Sequence, residues 1–204
     1  MQKEILLLAL LLMGCAQQGA GDEVADMAGK KIVMVVAQEG FRDEEFTVPR
    51  DYFASKGIAV TVASVRKGTC RGVMGATANA TLSLAEVKAA NFDSVVFVGG
   101  PGTPSVRKEN ESLRIAREFS SSGKVVSAIC WASTILAKAG VLQGKNATVW
   151  YGDDAEFGMS TGDYLESMGA HYTGEGVTVD GKFITADGPR NANKFAVEIV
   201  KALS

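Results

Sequence analysis

From residue 31 onward the chain repeats one pattern: a short, nearly unbroken apolar run, a polar loop, then a stretch with apolar residues every three or four positions. The runs are Lys31 to Ala37 (KIVMVVA), Ala59 to Ala63 (AVTVA), Ser94 to Val98 (SVVFV) and Val125 to Ile129 (VVSAI). A strand with one wetted face alternates apolar and polar residues, so continuous runs predict strands covered on both faces. Helices are predicted at Glu44 to Lys56, at Leu84 to Ala90 with Ser83 and Glu86 as a capping box, at Glu111 to Phe119 and at Ala132 to Ala139. A short strand at Ala147 to Trp150, a hairpin turning at Asp180-Gly181 between VTV and FITA, and a helix from Asn193 to Leu203 complete the pattern. Strands and helices alternating in this order predict an α/β fold, a three-layer sandwich around a mostly parallel central sheet.

The first residues follow another rule. Met1-Gln2-Lys3-Glu4 precedes nine apolar residues, Ile5 to Met13, and then Gly14 and Cys15. Nine residues are too few to cross a hydrocarbon layer of roughly 30 Å as a helix, but they suit the apolar core of a signal peptide. Leu12-Met13-Gly14-Cys15 resembles a bacterial lipobox, in which cleavage leaves an acylated cysteine at the new N-terminus. Two features depart from that pattern: one basic residue, Lys3, sits beside Glu4, and Met13 is bulky for its place. The expected organisation is a signal peptide over 1–15 with Cys15 lipidated, a flexible tether over 16–29 rich in Gln, Gly, Ala and acid, and one folded domain over 30–204. That places the protein outside the cytoplasm on a lipid anchor, or secreted or periplasmic if the lipobox is not used.

Composition narrows the function classes. The chain has 204 residues, 47% hydrophobic and 22% charged, enough for one full core. A net charge of -2 and no dense Lys/Arg run exclude an electrostatic footprint for nucleic acid. The cysteines, at 15, 70 and 130, have neither zinc-ligand nor disulfide-framework spacing, and a single histidine argues against a metal site. Cys70, in the glycine-flanked RKGTCRGVMG after the second strand, is expected to be a free surface thiol. Three Asn-X-Ser/Thr triplets, beginning at Asn79, Asn110 and Asn146, are read as chance.

In parallel sheets ligands sit beyond the carboxyl ends of the strands. After the first strand comes Gln38-Glu39-Gly40-Phe41-Arg42-Asp43-Glu44-Glu45, whose four carboxylates repel phosphate and exclude a dinucleotide site. After the third comes Gly99-Gly100-Pro101-Gly102, and after the fourth comes Cys130. A residue at a sharp strand-to-helix turn is lifted clear of the sheet, and the helix start lowers a thiol pKa there, giving a nucleophile elbow. Gly99 and Gly100 allow amide N–H groups to face the same point, and Glu45 can reach it as a general acid or base. Each of these residues also has an ordinary role: Cys130 as a buried thiol, the glycines as a turn, and Glu45 as charge at a helix start.

Three stretches carry a family resemblance. AICWASTILAKAGVLQGKNATVW resembles the elbow, helix and following strand of the ThiJ/PfpI superfamily, also called the DJ-one/PfpI family. VVFVGGPGT resembles its double-glycine turn, and GAHYTGEGVTVDGKFITADGPRNANKFAVEIVKAL its terminal hairpin and helix. The resemblance runs from about Lys31 to Leu203 and implies a flavodoxin-like fold of the class I glutamine-amidotransferase type. It implies that Cys130 is the nucleophile. Glu45, four positions before Pro49, becomes its hydrogen-bonded acid/base partner, and the amides of Gly100 and Trp131 become the oxyanion donors. It also implies a homodimer and no cofactor. The family's activities span peptidase-like hydrolysis, glyoxalase and deglycase chemistry, chaperone action and oxidation sensing.

This chain departs from the peptidase-like pattern at two places where histidine occurs, directly after the cysteine and at the end of the following strand. Trp131 and Trp150 stand there, as walls of a crevice or as core filling, and His171, in MGAHYTG, is read as structural. Without imidazole, a small electrophilic carbonyl suits Cys130 and Glu45 better than an amide. The leading expectation is a cofactor-free enzyme acting on small reactive carbonyls or their protein adducts. The alternatives are an oxidation sensor or chaperone-like binder with a non-turnover Cys130, and a cysteine peptidase resembling intracellular protease I.

Overall fold

The computed structural model describes residues 27–204. Cys15, the leader over 1–15 and the tether up to residue 26 lie outside the described residues. Seven strands make the central sheet: β1 (Lys31–Val35), β2 (Ala59–Ser64), β3 (Leu82–Ser83), β4 (Ser94–Phe97), β5 (Val125–Ile129), β6 (Val177–Asp180) and β7 (Phe183–Ala186). Their order is β6-β7-β5-β4-β1-β2-β3. Every pairing is parallel except the hairpin of β6 with β7.

Continuous apolar runs form this sheet because both faces are covered. Ile32 and Met34 of β1 point into one core while Val33 and Val35 point into the other. Helices α1 (Asp43–Ser55) and α6 (Ala192–Leu203) close the first layer with Phe46, Phe53, Phe195 and Ile199. Helices α2 (Thr103–Arg107), α3 (Asn110–Ser121), α4 (Ser133–Lys138) and α5 (Thr161–Ser167) close the second with Val106, Ile115, Phe119, Leu136 and Leu165. Each such side chain, fully buried, contributes about 1.5–3 kcal/mol. The fold is the expected flavodoxin-like three-layer sandwich. Because β1, β4 and β5 are parallel, their carboxyl ends open at one edge and bring the three loops of interest together.

Three local expectations are corrected. Leu84 to Ala90 is two 3-10 turns, Leu84–Glu86 and Ala89–Asn91, although the Ser83/Glu86 capping box forms as read. The carbonyls of Leu84 and Val87 accept from Arg114 Nη2 at 3.0 and 3.1 Å. The strand expected at Ala147 to Trp150 shrinks to Asn146–Ala147, paired with His171–Tyr172 outside the central sheet. Thr148 N donates instead to the Thr185 hydroxyl of β7 at 2.8 Å. Cys70 is not a surface thiol: it is fully buried in Gly68–Gly72, the middle strand of a small sheet with Glu39–Phe41 and Thr77–Ala80. Thr69 and Arg71 face solvent on either side of it, the alternation of a half-buried strand.

Candidate active site

β5 ends in extended backbone at Ile129, with φ -124° and ψ 144°, and Cys130 then turns to φ +60°. Among the described residues Cys130 is the only non-glycine with positive φ. Such a backbone costs about 1–3 kcal/mol and persists only where its surroundings impose it. Here Ala132, Ser133 and Thr134, all fully buried, let the chain pass through a 3-10 turn directly into α4. The side chain is aimed out of the strand line, and Cys130 keeps 9% exposure at the floor of a crevice.

Glu45 reaches the same floor from the first turn of α1 and is fully buried. Pro49, one turn later, has no N–H to offer the Glu45 carbonyl. The loop before α1 is stitched to the double glycine: Arg42 N donates to Gly99 O, and Gly102 N to Gly40 O, both at 2.9 Å. The Glu45 carboxyl lies beside the Cys130 sulfur and the Gly99 amide, yet neither oxygen has a well-aligned hydrogen bond. Burial therefore dominates and pushes the group up to about 8, so it is protonated at neutral pH.

The thiol departs from the sequence expectation. A helix start alone would lower it, but burial and then the charge of Glu45 push Cys130 up, while the amides of Trp131 and Gly100 pull the other way. The sulfur and the carboxyl thus titrate as one pair, and charge on sulfur requires the proton to rest on Glu45.

The double glycine is needed for this closeness. A methyl group on Gly99 would stand 2.7 Å from Glu45 Oε2 and 2.8 Å from the Cys130 Cβ. Gly100, at φ +115°, would drive a methyl into the backbone of Arg42 and Gly40. The amides of Gly100 and Trp131 both face the sulfur, where a developing oxyanion would need them.

Above the sulfur lies a cavity of about 310 Å³ lined by Arg42, Pro101, Trp131, Trp150 and Pro189 together with Glu45, Gly100 and Cys130. The two indole rings stand 5.6 Å apart at 46°. Trp131 and Trp150 are therefore crevice walls rather than core filling.

A model of the DJ-1/PfpI family matches residues 30–202. The chain belongs to the DJ-1/PfpI family. An uncharacterized protein of Methanocaldococcus jannaschii is 36% identical over 200 residues, covering 98% of this chain and 95% of that protein. Deglycase PfpI of Pyrococcus furiosus is 31% identical over 173 residues, covering 85% of this chain and 99% of its own. Among solved structures, a ThiJ/PfpI domain protein from Brachyspira murdochii superposes with a TM-score of 0.78 at 32% identity, over 86% of this chain and 98% of its own.

Within this DJ-1/PfpI fold the expected residues converge: Cys130, Glu45, Gly99, Gly100 and Trp131 meet at one point. His171 is exposed on the short His171–Tyr172 strand and does not line the crevice. Asp43 is distinct from its neighbours Glu44 and Glu45, because its carboxylate accepts from Met74 N at 2.9 Å and from Ala76 N at 2.6 Å. Arg107 and Asp154, which hold the Trp131 wall, escape sequence reasoning, because neither sits in a recognisable motif.

Proposed function

We propose that this protein is a cysteine-dependent, deglycase-like enzyme of the DJ-1/PfpI family that acts on small reactive carbonyls or their protein adducts without a cofactor. The observation that carries the reading is the strained Cys130 elbow set against a buried carboxyl that retains its proton. The Cys130 thiol gives its proton to solvent while Glu45 keeps its own, and the thiolate adds to an aldehyde carbon. The C=O bond becomes a C–O⁻ held by the Gly100 and Trp131 amides, and Glu45 delivers its proton to that oxygen to give a hemithioacetal. For a 2-oxoaldehyde, the Glu45 carboxylate then removes the proton from the former aldehyde carbon and returns it to the adjacent carbon, while the hemithioacetal hydroxyl proton passes to the ketone oxygen, so that the aldehyde carbon is oxidised to a thioester as the ketone is reduced to a hydroxyl. The thioester so formed is hydrolysed by water to a 2-hydroxy acid, and the thiol is restored. No external oxidant or reductant is required.

A cavity of about 310 Å³ matches a small ligand better than a peptide segment. Peptide hydrolysis also needs a base beside the thiol, and the Trp131 indole N–H only donates. Relatives named deglycases, at about 31% identity, support the same direction. The reading extends to a homodimer, by the family resemblance, and to a lipid-anchored, extracytoplasmic location, by the lipobox-like Leu12 to Cys15.

Methylglyoxal consumption by the purified protein tests the reading. Wild type turns it over, Cys130→Ala does not, and Glu45→Gln does so far more slowly. Equal rates in all three variants would remove the enzymatic role of the site, and peroxide modification of Cys130 without turnover would assign it to oxidation sensing.

A further inference from the structure

We propose that Asp154 is a positioning residue that sets the width of the crevice over Cys130, acting through the Trp131 indole and itself fixed by the buried Arg107. The inference rests on reading the crevice as the substrate site and adds which electrophiles enter it.

Trp131 has two duties at this point. Its main-chain amide faces the sulfur, and its ring is a wall of the cavity. The ring is held rather than merely packed: Trp131 Nε1 donates to Asp154 Oδ2 at 2.7 Å. Asp154 Oδ2 also accepts from Arg107 Nη1 at 2.7 Å, while Oδ1 accepts from Arg107 Nη2 at 3.3 Å and from Glu156 N at 2.9 Å. Arg107 is fully buried and grips Trp131 a second time. Its Nη1 donates to Thr134 Oγ1 at 3.0 Å, and that hydroxyl donates to the Trp131 carbonyl at 2.7 Å. Arg107 is itself pinned by Glu156 Oε2 at 2.6 Å and by the Phe157 ring, 4.1 Å from the guanidinium carbon.

A buried cation thus fixes both the main chain and the ring of the residue next to the nucleophile. A free indole on a partly open wall would exchange among rotamers and leave the opening variable. Held in place and in contact with Trp150, it keeps the slot over Cys130 narrow, so that small, flat carbonyl compounds pass and bulky ones are turned away.

The test reads the slot without turnover, so a failure of the proposed enzyme activity leaves it intact. Alkylation of Cys130 is followed by peptide mass spectrometry with iodoacetamide as the small electrophile and N-phenylmaleimide as the bulky one. In Asp154→Ala the phenylmaleimide rate rises relative to the iodoacetamide rate by about tenfold, the worth of a hydrogen bond to a charged group. Asp154→Asn, which keeps an acceptor oxygen, restores most of the discrimination. Combining Asp154→Ala with Trp131→Phe gives no more than the larger single effect, because both act on one interaction. An unchanged ratio in Asp154→Ala, or full additivity in the double variant, overturns the proposal. A second measurement needs no change at Asp154. The chain has two tryptophans, so Trp150→Phe leaves Trp131 as the sole indole. Its fluorescence is then weakly quenched by acrylamide and its Nε1 hydrogen exchanges slowly; free quenching with fast exchange overturns the proposal.

Discussion

Glu45 touches Cys130 and Asp154 touches Trp131, the next residue, and these two buried carboxyl groups are kept in opposite states. Glu45 is fully buried with no well-aligned partner on either oxygen, and it is pushed up to about 8. Asp154 is 3% exposed, so burial would raise it too, yet Arg107, Trp131 and the Glu156 amide together hold it below its ordinary value. Burial alone therefore does not decide the charge of a carboxyl; its donors do. The starved carboxyl keeps a proton to move, and the saturated one stays charged and anchors a wall.

The largest expected effect falls on the starved group. Glu45→Gln keeps the shape but cannot shuttle the proton, and methylglyoxal turnover should fall by about 10²–10⁴ in kcat. A change of less than threefold would show that Glu45 has no part in the chemistry. Next comes the saturated group. Arg107→Met leaves Asp154 buried without its cation and should cost about 3–5 kcal/mol in urea unfolding. A loss under about 1 kcal/mol would mean that Asp154 is not held as described.

The pH dependence of stability separates the two carboxyls by sign. Between about 4.5 and about 8 the unfolded chain has released the Glu45 proton while the folded chain retains it, so stability falls as the pH rises through this window. The loss is on the order of a few kcal/mol, at about 1.4 kcal/mol per unit of pKa difference. Glu45→Gln should flatten that slope. Asp154 works in the opposite sense: its contribution is present above its unfolded value and is lost as the pH falls through its lowered folded value. A native protein equally stable at pH 5 and pH 8, alongside an unchanged profile in Glu45→Gln, would contradict the assignment. The smallest effect belongs to the neighbouring Glu44, whose 2.7 Å pair with Arg42 is more than a third exposed on both sides. Glu44→Gln should cost no more than about 1 kcal/mol and leave turnover in place, which distinguishes Glu45 from charge at a helix start.

Much of this site can be read from the chain itself, because the features that build it are local. Continuous apolar runs mark β1, β2, β4 and β5, and Cys130 stands where one of them gives way to a helical pattern. Glu45 is singled out from its neighbours by the family resemblance, which places it four positions before Pro49, and the double glycine is legible through its place after β4. What escapes sequence reading is created by long-range approach. The bond from Trp131 to Asp154 spans 23 residues and that from Arg107 to Asp154 spans 47, with no motif linking them. The burial of Cys70 depends on a small sheet whose strands are too short to show a period. The thiol's raised pKa is hidden for a related reason: a helix start is visible in sequence, but the burial that outweighs it is not.

Catalysis at this site turns on the proton that the Glu45 carboxyl keeps beside the Cys130 sulfur. A carbon-13 NMR titration of the Glu45 side chain, assigned by the signal that disappears in Glu45→Gln, reads that proton directly. The predicted apparent midpoint is about 8, and a midpoint near the ordinary 4.5 would contradict a carboxyl that keeps its proton at neutral pH.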